Sequence, residues 1–114
     1  MTAMGPRAAR QPQQTDRRAE SFARTEREIR GEMAANLGRI ARTLEWQIER
    51  LQCMGVEIER AEGGDRARRV ATYMGVRREA RLYRWYLEVQ REALGLVDHR
   101  ELERVYPIPG PIRA

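Results

Sequence analysis

The strongest constraint on this chain is one row of apolar residues that recurs with helical spacing. At successive intervals of 4, 4, 3, 4, 4 and 3 residues, the row comprises Ile29, Met33, Leu37, Ile40, Leu44, Ile48 and Leu51. Residues three and four apart lie on one face of an α-helix, so the spacing predicts a helix. Phe22 extends the row upstream, and Met54 and Ile58 extend it downstream. We therefore predict a helix over residues 20–62, with one narrow apolar face that needs a partner surface.

A second helix is predicted after a glycine pair and an aspartate in the turn 63–65. Glycine suits the left-handed end of a helix, and aspartate caps the start of the next one. The second helix is predicted over residues 65–96 from another apolar row, which comprises Ala67, Val70, Met74, Leu82, Trp85, Val89, Ala93 and Leu96. Arg78 interrupts this row, and folding the chain back at the turn places it opposite Glu49. We predict an ion pair between these two residues as a register device.

The two ends of the chain differ in composition from this hairpin of 19–97. Residues 1–18 are rich in Gln, Pro, Ala and Arg, which predicts a disordered basic tail. A short helix is predicted over 98–106, and three prolines then predict an extended tail over 107–114. The predicted fold is thus all-α, a long antiparallel two-helix hairpin with a short third helix and an extended C-terminal tail.

Positive charge is concentrated in the second helix. The formal net charge is +5, and all 22 basic residues are arginine. Between residues 66 and 84, seven arginines accompany one glutamate, so the local formal charge is +6. Helical spacing places most of these arginines along one outer edge, and the candidate nucleic-acid-binding residues are Arg66, Arg68, Arg69, Tyr73, Arg77, Arg81 and Arg84. Guanidinium groups bind phosphates in a bidentate manner, so the row predicts weak, non-specific binding of duplex DNA.

Two other interpretations of this stretch stay open from the sequence. The arginines can instead pair with glutamates of the first helix or of a neighbouring subunit, while their stems cover apolar surface. The positions of Ala71, Gly75 and Trp85 also follow the rhythm of a helix-turn-helix, although Arg81 stands where that motif has an apolar residue. The sequence alone does not decide between a continuous helix over 66–86 and a degenerate helix-turn-helix.

The sequence contains no pattern typical of catalysis, metal binding or membrane insertion. The single cysteine, Cys53, excludes an internal disulfide and a thiolate metal site. There is no phosphate-binding glycine loop and no nucleophile motif, so we predict a non-enzymatic protein without cofactor or metal. No apolar run approaches the roughly 20 residues of a membrane span, and the N-terminus lacks the apolar core of a secretory signal. We therefore expect a cytoplasmic protein that does not contact membranes.

Four features follow one another along the chain: a basic start, the turn "EGGD", the arginine-rich helix "RARRVATYMGVRREARLYRWYLEV" and the end "YPIPGPIRA". This layout resembles the small terminase subunits of tailed phages and phage-like gene transfer agents. The resemblance implies a ring of subunits joined through the hairpin, and DNA held for packaging by the arginine row. It also implies a C-terminal segment that engages a large terminase, the ATPase and nuclease, with docking residues Tyr106, Pro107, Ile108, Pro109 and Ile112. The chain lacks the N-terminal helix-turn-helix domain of that family, which fits a non-specific packaging system.

A two-helix hairpin has little core per residue, so we expect a homo-oligomer. The candidate intersubunit residues lie outside or beside the predicted seam and are Phe22, Trp46, Tyr83, Tyr86 and Leu87. The alternative function is a helical-hairpin scaffold or adaptor that binds only protein and uses its arginines in salt bridges. Affinity for duplex DNA distinguishes the two functions.

Overall fold

The fold consists of three α-helices in chain order. It is a computed structural model that describes residues 4–114, with side chains described from residue 14 onward. The helices are α1 (Met4–Arg60), α2 (Gly63–Ala93) and α3 (Arg100–Val105), and no strand occurs within 4–114. The prediction of an all-α chain with two long helices and a short third one is confirmed. The chain consists of two compact units, one that ends at Ala35 and one from Asn36 to Ala114.

α1 begins earlier than the apolar row predicts. We predicted a disordered tail over 1–18, but residues 4–18 are helical, and residues 1–3 lie outside the described residues. Alanine, glutamine and arginine have high intrinsic helix propensity, which favours a helix even without burial. Residues 14–22 are exposed on every side, so this part of α1 has no apolar face for a periodicity analysis to detect.

The later boundaries lie within a few residues of the predicted ones. α1 ends at Arg60, and α2 ends at Ala93. α2 runs without interruption through residues 66–86, so the helix-turn-helix interpretation of this stretch is wrong. Residues 107–114 contain neither helix nor strand, because prolines at alternate positions remove the amide donors that a helix requires.

Ala61 and Glu62 connect α1 to α2. Glu62 occupies the N-cap position of α2 in place of Asp65, which lies in the first turn. Its backbone is extended, with φ −133° and ψ 159°, and its side chain makes no capping hydrogen bond. Gly63 follows with φ 59°, in the left-handed region that glycine adopts without strain. The conformation of the connection therefore depends on the glycine at position 63.

Substituting alanine for each glycine of the pair is expected to have opposite effects on stability. Gly63→Ala should lower the free energy of unfolding by about 1–2 kcal/mol, because a side chain in the left-handed region is strained. Gly64→Ala should raise it by up to about 1 kcal/mol, since alanine is the better helix former. A Cβ at position 64 would lie 3.5 Å from the flexible Arg68 guanidinium, an ordinary contact. Urea denaturation followed by circular dichroism measures both values, and effects of equal sign would contradict this expectation.

One apolar core unites the helices of the unit from Asn36 to Ala114. Its buried members are Leu44, Ile48, Leu51, Ile58, Val70, Tyr73, Val76, Ala80, Leu87 and Leu102. Three side chains of the C-terminal segment, Tyr106, Ile108 and Ile112, are partly buried against this core. The C-terminal segment is therefore part of the fold.

α2 buries a different face from the one predicted. The predicted row correctly includes the buried Val70, but Leu82, Trp85 and Val89 are 44%, 54% and 40% exposed. Tyr73, predicted to face outward, is 2% exposed. α2 carries two apolar rows, and the periodicity analysis selected the one with the larger side chains. The core uses the other row, which packs with apolar residues of α1, α3 and the C-terminal segment.

The predicted ion pair between Arg78 and Glu49 is also wrong. Both side chains are exposed, and they form no ion pair with each other in the described structure. Because the buried face of α2 is rotated from the predicted one, Arg78 lies on the solvent side. It therefore does not fix the register between α1 and α2.

In the unit that ends at Ala35, the described side chains are mostly exposed. Phe22 is 73% exposed and Ile29 is 52% exposed. The Arg30 guanidinium pairs with Glu26 one turn earlier, at 3.0 Å. Such a pair adds only a few tenths of a kcal/mol to an exposed helix.

Candidate nucleic-acid interface

The C-terminal segment divides the seven arginines between residues 66 and 84 into two groups. Three of them, Arg66, Arg77 and Arg84, donate hydrogen bonds to backbone oxygens of residues 106–114. The other four are exposed, namely Arg68, Arg69, Arg78 and Arg81. The intervals of 11 and 7 residues within the first group are close to whole helical turns, so these three side chains share one side of α2.

We call the surface formed by Arg66, Tyr73, Arg77 and Arg84 the tail groove, and residues 106–114 the tail. Arg84 Nη1 donates to the Tyr106 oxygen at 3.2 Å, and Arg77 Nε donates to the Pro109 oxygen at 2.9 Å. Arg66 Nη1 donates to the backbone oxygens of Arg113 and Ala114, at 2.9 and 2.7 Å. Partner numbers fall along α2 as they rise along the tail, so the tail runs antiparallel to α2.

Donors and acceptors in the tail groove are complementary by residue type. A guanidinium only donates hydrogen bonds, and a proline residue offers only a carbonyl acceptor. The tail contains Pro107, Pro109 and Pro111, so a third of its residues have no amide hydrogen to satisfy. From residue 66 to residue 84 α2 rises about 27 Å at about 1.5 Å per residue, and an extended proline-rich segment of nine residues spans a similar length at about 3.1 Å per residue.

Tyr73 anchors the middle of the tail groove. Its ring belongs to the core, and its hydroxyl donates to the Gly110 oxygen at 2.7 Å. Burial raises the pKa of the Tyr73 hydroxyl, and the nearby Arg77 charge opposes that rise. The hydroxyl is therefore a neutral donor at physiological pH. The prediction that Tyr73 lies outward in a DNA-contacting row is wrong, because the ring completes the core.

The residues predicted to dock a partner lie against their own chain. Tyr106, Ile108 and Ile112 pack on the core, and Pro109 is half-buried. Pro107 is exposed. The predicted DNA edge and the predicted docking tail, which lie 22 to 48 positions apart in sequence, thus meet in one place.

The exposed arginines of α2 differ in how their charge is used. Arg69 pairs with Asp65 and with Glu57, each at 3.0 Å, and the hydrogen bond to Asp65 is the main cause of its raised pKa. The guanidinium groups of Arg68, Arg78 and Arg81 make no hydrogen bond or ion pair with any residue whose side chain is described. These last three guanidiniums are free to meet a ligand.

α1 contributes one cation that the sequence analysis missed. Arg50, Arg68 and Arg69 line one cleft between α1 and α2, together with Thr72. The Arg50 guanidinium lies over the Trp46 ring, 5.4 Å from its centroid. The spacing of four residues between Trp46 and Arg50 indicates that the two side chains are neighbours on one helix. That spacing alone does not show that Arg50 lies beside α2.

α2 also presents an apolar surface to solvent, which we call the exposed apolar face. Its members Leu82, Trp85, Tyr86 and Val89 are between 38% and 54% exposed. The Trp85 and Tyr86 rings lie 5.5 Å apart between centroids. Of the predicted intersubunit residues, Tyr86 belongs to this face and Trp46 is 58% exposed, whereas Leu87 is buried and so is not available for contact.

Three further results bear on function. Among the residues with described side chains, no three His, Cys, Asp or Glu side chains gather as a metal site would require. In the same part of the chain, no helix is both long and apolar enough to cross a membrane. Comparison with models of known protein families, with curated proteins and with solved structures found no match.

Proposed function

We propose that this protein is a non-catalytic accessory protein that binds duplex DNA weakly and without sequence preference through α2. The observation that carries the proposal is the imbalance of charge on that helix. Of the seven arginines between residues 66 and 84, Arg69 is the one that pairs with an Asp or Glu side chain in the described part of the chain. The excess of positive charge attracts a polyanion, which releases its counterions on binding.

The proposal includes self-association of an antiparallel helical hairpin. The exposed apolar face groups four large apolar side chains on the side of α2 opposite the core, and exposed apolar surface of this kind often marks an interaction site. A second copy of the chain presents the same apolar surface, so a symmetric contact covers both faces at once. Repetition of the arginines in such an assembly multiplies weak phosphate contacts.

A small terminase-like role in DNA packaging combines these two properties with a motor protein as partner. The tail supplies the segment for docking that motor, an ATPase and nuclease, once it leaves the tail groove. The rival function, an adaptor that binds only protein, draws support from the exposed apolar face. Its premise that salt bridges use up the arginines is weakened, because Arg77 and Arg84 contact neutral carbonyl groups instead.

The test is a pair of double variants with equal charge. Arg68→Glu with Arg81→Glu alters two free guanidiniums of α2, and Arg24→Glu with Arg27→Glu alters two exposed guanidiniums of α1. Each pair lowers the formal net charge from +5 to +1. We expect the α2 pair to weaken binding of a short duplex by at least about tenfold at low salt, and the α1 pair to weaken it clearly less.

Fluorescence anisotropy of a labelled duplex over a range of salt concentrations measures these affinities. The unmodified protein should lose affinity linearly in log–log form as salt rises, with a slope of about −0.9 per phosphate contacted. Absence of any binding at low salt would show that the proposal is wrong. Equal losses in the two double variants would show that net charge, and not α2, determines binding.

A further inference from the structure

The three arginines of the tail groove can bind either of two ligands, the backbone oxygens of the tail or the phosphates of a nucleic acid. We propose that the tail and the phosphate backbone of DNA compete for this groove, so that departure of the tail adds Arg66, Arg77 and Arg84 to the DNA-binding surface. This inference rests on the proposed binding of DNA to α2. It makes the tail an internal cover of the DNA site, in addition to any role in docking.

The tail satisfies the hydrogen bonds of Arg77 and Arg84 but not their charge. Both bond to neutral backbone carbonyls, whereas Arg66 bonds to the backbone oxygens of Arg113 and Ala114. None of the three pairs with an Asp or Glu side chain in the described part of the chain, and all three residues are partly buried, so less water is available to solvate their charge. A phosphate brings a negative charge and accepts two parallel N–H bonds from one guanidinium. On electrostatic grounds phosphate is therefore a stronger ligand than the tail for Arg77 and Arg84.

The tail holds its place mainly through contacts that a phosphate cannot replace. Tyr106, Ile108 and Ile112 pack on the core, and the Tyr73 hydroxyl bonds to Gly110. Leaving the groove exposes these apolar side chains to water, at a cost that depends on the area exposed. The balance between that cost and the gain in ion pairing decides which ligand occupies the groove.

The groove has the right extent and position for a nucleic-acid backbone. The row from Arg66 to Arg84 is about 27 Å long, taking about 1.5 Å per residue. This length corresponds to about eight nucleotides of one strand at about 3.4 Å each. Arg81, whose guanidinium is already free, lies four residues after Arg77 and three before Arg84, so an opened groove extends an existing positive surface.

The first test removes the tail with a variant that ends at Val105. This change removes Arg113 and no acidic side chain, so the formal net charge falls from +5 to +4. A gain in DNA affinity therefore cannot arise from net charge. We expect duplex affinity to rise about tenfold at 0.1 M salt, and the slope of log affinity against log salt to become steeper by about 3. Adding a peptide of residues 106–114 should return the affinity toward that of the full chain.

The matched variant Tyr73→Phe loosens the tail without changing any charge. It removes only the hydroxyl that bonds to Gly110, so we expect a smaller gain in DNA affinity in the same direction. Circular dichroism establishes that both variants keep their helices. Should the shortened chain lose helix, Tyr73→Phe decides the question, because unchanged affinity in that variant would overturn the inference.

The unmodified protein provides an independent readout. The methyl NMR signals of Ile108 and Ile112 should move toward those of solvent-exposed side chains when duplex DNA is added, because the tail leaves the groove and these side chains leave the core. Methyl signals that keep their positions in the DNA-bound protein would overturn the inference. If the full and shortened chains bind DNA with equal affinity and equal salt slope, the inference is wrong while the proposed function stands. If neither chain binds DNA, the proposed function itself is wrong.

Discussion

Replacing Leu82 and Trp85 together by glutamate is expected to convert a self-associated protein into a monomer. Both side chains belong to the exposed apolar face, where they are 44% and 54% exposed. In an assembly they would lie at the contact between copies, and burying a charge there without a partner costs several kcal/mol. In the separate chain the same charges lie in water on a helix surface, where substitutions usually change stability by less than about 0.5 kcal/mol. The variant should therefore lose assembly and keep its helices.

Sedimentation velocity over a range of protein concentrations measures this effect. The matched control is Ser21→Glu with Gln52→Glu, which introduces the same two negative charges at exposed polar positions. We expect the control to sediment like the unmodified protein. A monomeric unmodified protein at every concentration would contradict the self-association that we propose. Equal dissociation of both double variants would assign the effect to charge and not to the exposed apolar face.

The predicted helix is confirmed where one periodic row of apolar residues had no competing row. The apolar row from Ile29 to Leu51 predicted α1 through its central part, and Leu44, Ile48 and Leu51 are buried as that row requires. The glycine pair marked the boundary between the two long helices, because few residues other than glycine adopt a positive φ without strain. These signals are local, and local signals can be recognised in one sequence.

The predicted buried face of α2 is wrong because that helix carries two apolar rows. The row with Leu82, Trp85 and Val89 has the larger apolar side chains, yet it is exposed. The buried row combines Val70, Tyr73 and Ala80 with flanking arginines, and its burial depends on what packs against it. Side-chain hydrophobicity alone therefore ranks the two rows in the wrong order.

The tail groove was beyond prediction for a different reason. The arginine row and the proline-rich end were each recognised, and each was assigned a separate partner. Their contact joins residues as far apart as Arg66 and Ala114, and it uses backbone oxygens that every residue possesses. Sequence patterns report side-chain chemistry. The arginine donors of the tail groove could therefore be predicted, whereas the backbone oxygens that accept their hydrogen bonds could not.

Leu51→Ala is expected to destabilise the protein far more than Leu82→Ala, although the two substitutions are chemically identical. Leu51 is fully buried in the core of the unit from Asn36 to Ala114, whereas Leu82 is 44% exposed. Removing a buried leucine side chain leaves a cavity and lowers the free energy of unfolding by about 2–5 kcal/mol. That loss is a large share of the roughly 5–15 kcal/mol by which small domains are stable. Chemical denaturation at low protein concentration, where the chain is a monomer, compares the two variants directly.

The dependence of the stability loss on protein concentration distinguishes a core residue from a residue at the proposed contact between copies. Leu82→Ala should change the stability of the monomer by less than about 1 kcal/mol, because its side chain is already partly in water. At higher concentration the same variant should lose more, since association stabilises the folded chain by mass action and a smaller apolar face weakens association. Leu51→Ala should show nearly the same loss at both concentrations. If Leu82→Ala lowers the free energy of unfolding of the monomer as much as Leu51→Ala does, Leu82 belongs to the core. The exposed apolar face would then not be the surface for self-association.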